Sequence, residues 1–590
     1  MYVQVILPLR LGWSPTYDAG DLQLTAGERV RVKLAGREYV GVVAATDVKP
    51  DIDPRRILPV ISKESALEAI LPSELEFWDF IASYYMCTPG EVYKYVYPVS
   101  RTKTEEKKAR SPKGPAATNL IQQPRLDATA KKAVTAILAS FDEAKPALLV
   151  SGATSLGAGS ARSAGSSPEP EGKGQARSAA IEAELVLRSL AQDRDVLIID
   201  PAAPRESYVT MRNAAARARS QSSPAEVYEG SKALLFLPFT RLGLIIIREE
   251  QSEKHKQTAL APRFNARDAA LMLARQRGAD VLLTSRFPSL ESIWNCKSGK
   301  FSLVDLPALQ RYPAPSAPAA TASSAPSSPA GQNRLAATSA PATTASSAPS
   351  SPAGQNRPAA TSAPAATELI DTSAEFRKNG MSGSFSRKLL AAMADAFSRK
   401  EHVALIVPWK NGDDIEIEAR EHFPAARTLL AVMPLHDIKK PEKYALAALM
   451  RAEYLLDKPD FRCDEKALRA IHELEEAFPR LIVQASDAGY KVLSAPGMDE
   501  ILAERRQFGY PPFTRIVDIT FSDSNEARLA KLSGELSRKL GTPVLGGRIR
   551  IILKRDRSLA ERKKEILRIV EDFESAGKYY SHIKIDVDPV

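Results

Sequence analysis

ALLVSGATSLGAG, Ala147 to Gly159, sets a strand-sized apolar run against a loop whose glycines stand five apart, and a helix-prone stretch follows from Ile181. Strand, glycine loop and helix in that order are the parts of a phosphate-binding loop, G-x-x-x-x-G-K-[ST]. Its backbone N–H groups cradle phosphates, its lysine meets the β and γ oxygens, and its hydroxyl holds Mg2+. Here Gly152 and Gly157 keep the spacing, but Ala158 and Gly159 stand where the lysine and the hydroxyl belong. The stretch predicts an α/β fold with a degenerate nucleotide site.

The flanking sequence extends that reading. Strand candidates Asp195–Ile199, Ala233–Leu237, Leu242–Ile247 and Asp280–Thr284 are interspersed with helix candidates Ala128–Ser140, Ile181–Ala191 and Ala266–Arg277. Such alternation over 125–306 predicts a doubly wound parallel sheet. Gly157–Gly174, rich in Gly, Ser and Ala, reads as a loosened loop. Within the linker 307–367, residues 313–367 are mostly Ala, Pro, Ser and Thr, and TASSAPSSPAGQNR recurs at Thr321 and Thr344, a period of 23 residues. That composition cannot bury enough surface to offset its ordering entropy, so a disordered linker is expected.

Over 368–500, a helix (Ser386–Phe397), strands (Val403–Val407 and Thr428–Val432) and a helix (Pro441–Leu456) predict a second, smaller α/β unit. From 501 to 590, IVDITF, RIRIILK, two helices and HIKIDV predict an α+β unit. Residues 1–100 alternate in strand fashion (YVQVILPL, RVRVKL, YVGVVAAT) and turn helical at Ala66–Ile81, which predicts a barrel-like β unit with an aromatic helix. Residues 101–124 read as a basic linker.

The 590 residues suffice for about three or four domains. At 44% hydrophobic and 26% charged, the composition is that of a soluble globular protein. No run reaches the roughly 18 apolar residues of a membrane span, and MYVQVILPLRLGW reads as a strand rather than a signal peptide. A cytoplasmic protein without a membrane partner is expected. Cys87, Cys296 and Cys463 lie far apart and read as buried thiols, with no metal spacing and no disulfide framework. The net charge of +10 favours a polyanionic partner. Arg548–Arg568 holds nine basic residues against three acids, and Arg101–Lys113 six against two, whereas residues 1–100 hold 10 against 13. Each basic cluster is either a nucleic-acid surface or a solvated face.

Several stretches are more specific than composition. They are G-x-R-V-x-V (Gly27–Val32), the aromatic helix with W-x-x-x-A-S-Y-Y before Gly90, LLFLPFTRLGLIII (Leu234–Ile247), KQ…APR-x-x-ARD (Lys256–Asp268) and PSLES-x-x-N…GK (Pro288–Lys300). PDFR (Pro459–Arg462), ERRQFGYPPFTRIVDITFSDSNEA (Glu504–Ala527) and IDVDPV complete the series. In this order the chain resembles the primosomal protein N′ (PriA) family of replication-restart helicases, over nearly its whole length apart from the repeat. The resemblance implies a 3′-DNA-binding β domain at 1–100, a winged-helix remnant at 101–124 and RecA-like helicase lobes at 125–306 and 368–500. A C-terminal DNA-binding domain at 501–590 follows. It also implies binding of branched or 3′-ended DNA, 3′→5′ unwinding with ATP and Mg2+, a zinc insertion, and primosome or helicase-loading partners. Single-strand-binding protein is a further candidate partner.

Against that pattern the catalytic motifs depart. Arg248-Glu249-Glu250-Gln251 replaces D-E-E-H, SRFPS (Ser285–Ser289) replaces S-A-T-P-S, and ELEEAFPR (Glu473–Arg480) stands where Q-V-A-G-R-A-G-R would carry an arginine finger. The cysteine-rich insert is missing after Val407. Loss of ATP, Mg2+ and zinc is therefore expected, with no catalytic residue and no metal ligand. The DNA-reading positions are Tyr17, Arg37 and Arg56 in the first domain, with Pro15 and Thr16 replacing the family's Phe and Asp. Lys254, Lys256, Gln257, Arg263 and Arg267 follow the altered D-E-E-H. Arg505, Arg506, Arg548, Arg550 and Lys554 follow in the last domain. Tyr17 could stack on a base or pack in the core; Trp78, Tyr84 and Tyr85, at helical spacing, read as core. The leading reading is a restart protein that binds DNA without hydrolysing ATP. An active helicase and a protein-interaction scaffold without DNA binding are the alternatives.

Overall fold

The computed structural model describes residues 1–50, 52–98, 124–152, 173–220, 222–311, 366–456, 460–486, 493, 498–577 and 582–589. Gly157, Ala158, Gly159, the Arg101–Lys113 cluster and the repeats lie outside them.

Strand alternation near the start of the chain turns Val3, Val5, Val30, Val32 and Val43 inward. They belong to β1 (Tyr2–Ile6), β2 (Thr16–Asp18), β3 (Arg29–Leu34), β4 (Arg37–Thr46) and β5 (Ser62–Lys63), an antiparallel sheet in the order β2-β1-β4-β3-β5. The run leading into β5 crosses from one sheet edge to the other. The Asp18 amide donates to the Leu58 carbonyl at 3.0 Å and the Ile61 amide to the Arg31 carbonyl at 2.9 Å. Gly27, at φ 92°, is required because a Cβ would lie 2.0 Å from the Ile70 carbonyl oxygen. The helix expected at Ala66–Ile81 runs instead over Pro72–Tyr85. Pro72 opens it at the first helical position, and the Glu74 carboxylate accepts from the Leu71 amide at 2.9 Å. A second helix, Pro89–Val96, is capped by Thr88.

The first lobe is a six-stranded parallel sheet of β6 (Ala147–Val150), β7 (Asp195–Ile199), β8 (Val227–Gly230), β9 (Leu242–Ile247), β10 (Asp280–Ser285) and β11 (Ser302–Asp305). Its order is β11-β6-β10-β9-β7-β8. Helices Ala128–Asp142 and Lys173–Ala191 pack on one face, and Tyr208–Arg219 and Ala266–Arg277 on the other. The strand expected at Ala233–Leu237 is a correction: Lys232–Phe236 is a 3-10 helix. The Ser231 hydroxyl accepts from the Ala233 amide and winds the chain there, while β8 supplies the strand.

The second lobe contains β12 (Ala366–Asp371), a hairpin of β13 (Met381–Ser382) and β14 (Phe385–Ser386), β15 (His402–Val407), β16 (Leu430–Pro434), β17 (Tyr444–Leu449) and β18 (Arg480–Ala485). Its parallel sheet runs β12-β18-β17-β15-β16. The helix expected at Pro441–Leu456 is also corrected. β17 is central and mostly buried, and an apolar run covered on both faces carries no two-residue alternation to mark it.

The last unit orders β20 (Val544–Leu545), β21 (Arg548–Lys554), β19 (Thr514–Phe521) and β22 (Ile583–Val587) as β20-β21-β19-β22, with helices Glu526–Leu540 and Leu559–Gly577 packed on it. One apolar core runs from the aromatic helix through the first lobe into this sheet. Trp78 and Tyr85 are buried in it, and Tyr95, Phe236 and Phe264 meet edge to face at 5.3 to 5.6 Å. Tyr84 is held between the Arg515 guanidinium and the Lys563 ammonium, 5.0 and 4.3 Å from its ring.

Candidate functional site

Parallel strands bring the C-terminal ends of β6, β10 and β9 to one edge, so the segments that follow them share a cleft. The Ser151 amide donates to the Ser285 carbonyl at 3.0 Å. Gly152 packs so closely that a Cβ would lie 2.4 Å from the Arg286 carbonyl oxygen and 3.0 Å from Glu476 Oε1. Arg248 sits among three carboxylates: Glu182 at 2.9 Å, Asp200 at 3.5 Å and Glu229 at 2.5 Å. Burial opposes its charge, but Glu182 and Glu229 outweigh that and hold its pKa above the usual guanidinium value. Burial in turn raises the Glu182 carboxyl.

Glu250 is only 2% exposed. It pairs with Arg267 Nη1 at 3.0 Å and accepts from the Ser289 amide (2.6 Å), the Ser289 hydroxyl (2.9 Å) and the Ser292 hydroxyl (2.8 Å). Glu249, at φ 45°, turns outward and accepts from Gln251 Nε2 at 2.6 Å, while Gln251 Oε1 accepts from the Ser285 hydroxyl at 2.6 Å. Arg286 stands between Glu249 (3.8 Å) and Glu476 of the second lobe (3.6 Å).

These described residues do not fit a nucleoside triphosphate with its metal. Arg248 is a cation already paired with three acids, and Glu250 accepts four hydrogen bonds inside the lobe. For zinc, no group of three or more His, Cys, Asp and Glu that could hold a metal occurs among the described residues.

The expected DNA contacts divide in two. Several face inward, which corrects their reading as reading-surface residues. Tyr17 is 2% exposed, and its hydroxyl donates to the Lys33 carbonyl at 3.2 Å, so it offers no ring to a base. Lys256 Nζ donates to the Arg263 and Val587 carbonyls at 2.9 and 2.6 Å and pairs with Asp586 at 2.7 Å. Arg267 is consumed by Glu250. Arg505 is buried against Glu465 at 2.9 Å, and Arg550 forks onto Asp518 at 2.8 and 2.7 Å. Arg548 lies 3.4 Å from Asp518, and Arg263 donates to the Ile585 carbonyl at 3.1 Å. Arg37, Arg56, Lys254, Arg506 and Lys554 are exposed, and Gln257 is half-buried. Arg506 stands 4.9 Å over the Trp294 ring and 4.7 Å over Phe513.

A cleft of about 620 Å3 is lined by Lys254, Lys256 and Gln257, which the sequence singled out, and by Arg205, Ser231 and Lys232, which it did not. Lys232 donates to the Lys254 and Lys256 carbonyls at 2.6 and 2.9 Å. Burial, then Arg205 and Lys256, pull its pKa down, so an incoming anion would relieve the crowded positive charge. The mistaken strand at Ala233–Leu237 concealed it; a glycine-serine-lysine turn directly after β8 was the available signal.

Residues 4–98 match the family model of the PriA 3′DNA-binding domain (3′BD). The replication restart protein PriA of Rickettsia prowazekii (strain Madrid E) is 27% identical over 310 residues, covering 48% of this chain and 42% of its own. Over these spans the chain is similar to replication restart proteins PriA. PriA of Chlamydia pneumoniae is 46% identical over 74 residues (12% of this chain, 10% of its own), and PriA of Haemophilus influenzae 40% over 83 (14% and 11%). The chain spans less than half the length of the curated relatives it matches. A structure of RecG bound to a three-way DNA junction matches at TM-score 0.26 and 12% identity, covering 84% of this chain and 56% of its own. The PriA 3′BD match takes in the five-stranded sheet and helices Pro72–Tyr85 and Pro89–Val96. No helix among the described residues is long and apolar enough to cross a membrane.

Proposed function

We propose that this PriA-like chain binds forked or 3′-ended DNA in replication restart and recruits primosome or helicase-loading proteins without hydrolysing ATP. The observation that carries the reading is Arg248 caged by Glu182, Asp200 and Glu229 where the family holds its leading carboxylate. Phosphoryl transfer is catalysed almost wholly by positioning and by stabilising developing negative charge. Among the described residues this cleft gathers Glu182, Asp200, Glu229, Glu249, Glu473 and Glu476 around the two guanidiniums of Arg248 and Arg286. An excess of carboxylates repels a triphosphate and offers nothing to the charge that builds in its transition state. The DNA side of the proposal rests on the 3′BD match, on the exposed cations and on the Lys232 cleft of about 620 Å3.

ATP hydrolysis by purified full-length protein, with and without forked DNA, tests it. The expected result is no turnover above background alongside fork binding in a gel shift. Turnover abolished by Glu249→Gln or Glu250→Gln overturns the non-hydrolysing reading. Absence of any fork binding favours a protein-interaction scaffold.

A further inference from the structure

The two lobes meet along a seam beside the cleft. Phe287 of the first lobe, buried, stacks on His472 of the second with ring centroids 5.4 Å apart and planes within 14°. Its neighbour Arg286 reaches Glu476, and Lys466 reaches back to Glu253 at 2.7 Å. Arg462 pairs with Glu291 at 2.5 Å, and Glu465 accepts from the Leu290 amide at 3.3 Å. Leu290 and Ile293 share an apolar core with Leu468 of the second lobe and with Ile501 and Leu502 of helix Met498–Phe508.

A motor driven by nucleotide needs lobes that separate between turnovers and close on the ligand that bridges them. We propose that in this chain the seam side chains take the place of that ligand, holding the lobes in one closed arrangement whatever nucleotide is present. Opposite charges face each other across the cleft: Arg286 of the first lobe meets Glu476, and Glu253 of the first lobe meets Lys466 of the second. Opening would separate those pairs and expose Leu290, Ile293, Leu468 and Phe287 to water. Two of the contacts come from the positions where the motor motifs depart from the family. Arg286-Phe287 interrupts the first-lobe motif, and Glu476 lies in ELEEAFPR. The same changes that deprive the cleft of catalytic groups therefore supply the clasp. Surfaces on both lobes then stand permanently assembled for a partner.

The inference rests on the non-hydrolysing reading of the cleft, and its test separates the two. Hydrogen exchange and small-angle scattering would be measured on the full chain, with and without ATP and Mg2+. In the unmodified protein neither profile should move with nucleotide. Arg286→Glu should speed exchange of the amides in helices Leu290–Lys297 and Cys463–Ala477 by about threefold or more, since it sets like charges against Glu249 and Glu476. Adding Glu476→Arg to it should bring exchange back toward the starting rate. Phe287→Ala should loosen the same helices; should it not fold, the half-exposed charge variants still decide. Compaction or protection on adding nucleotide overturns the clasp, as does unaltered exchange in Arg286→Glu. ATP turnover with an unmoved scattering profile removes the non-hydrolysing reading and leaves the clasp standing. Nucleotide-driven compaction without turnover does the reverse.

Discussion

Within Arg248-Glu249-Glu250-Gln251 the backbone separates two neighbouring glutamates: Glu249, at φ 45°, leans toward solvent, whereas Glu250 is enclosed by Arg267, Ser289 and Ser292. Removing one member of a buried ion pair strands the other, at a cost of about 3 kcal/mol or more. Glu250→Gln should therefore lower unfolding stability by about that amount in urea denaturation, while Glu249→Gln should stay within about 0.5 kcal/mol. Equal effects would mean that Glu250 does not anchor the lobe. Ala158-Gly159 lie outside the described residues, whereas the cation at Arg248 was legible from residue type alone. The inward turn of Lys256, Arg267 and Arg505 was not. Lys256 meets Asp586, 330 positions along the chain, and Arg505 meets Glu465; a single string of residues does not reveal such partners.

Helix Leu559–Gly577 carries two ionisable groups pressed against the first hundred residues. Burial pushes the Lys563 ammonium down to about 8, with Asp588 and Asp268 opposing and Arg515 adding to the shift. Its ammonium donates to the Tyr84 carbonyl at 2.7 Å. Burial pushes the Glu574 carboxyl up to about 7, with Arg10 opposing at 3.0 Å and Glu91 and Glu571 adding. Because the folded-state pKa of Lys563 is depressed, the folded protein binds fewer protons than the unfolded chain between about 8 and 10.5, and this group's contribution to stability rises with pH there. Glu574 is raised, so its contribution falls as pH climbs from about 4.5 to 7. Both groups are charged and desolvated between pH 7 and 8, where their combined contribution to docking should be weakest. Melting temperature followed from pH 5 to 9.5 should show Lys563→Met flattening the alkaline rise and Glu574→Gln flattening the acid side. Unchanged profiles would remove both groups from the account. At this scale the sequence was read well where apolar runs were flanked by turn residues, as at β6, β7 and β9. It was read poorly at β17 and at Lys232–Phe236, where burial on all sides erases periodicity.

For the whole molecule, DNA affinity should come from dispersed cations rather than one pocket. Fork binding measured by fluorescence anisotropy should weaken steeply with salt, because each neutralised phosphate releases counterions. Replacing Arg506 or Lys554 by Ala should lower the slope of log affinity against log salt by about 1, uniformly across sequences. Arg550→Ala should instead lower stability, since its fork is closed on Asp518. An equal loss of affinity from all three would argue against that division. The molecule also closes on itself. Arg10 Nη1 donates to the Ile583 carbonyl at 3.0 Å across 573 positions, and Lys256 and Arg263 hold β22 at Val587 and Ile585. The lobe seam joins the same two halves a second time. A peptide bond cut anywhere within 312–365 would thus not release two fragments: each would keep hold of the other at both places, as a ring opened at one link stays a ring when its ends are clasped elsewhere.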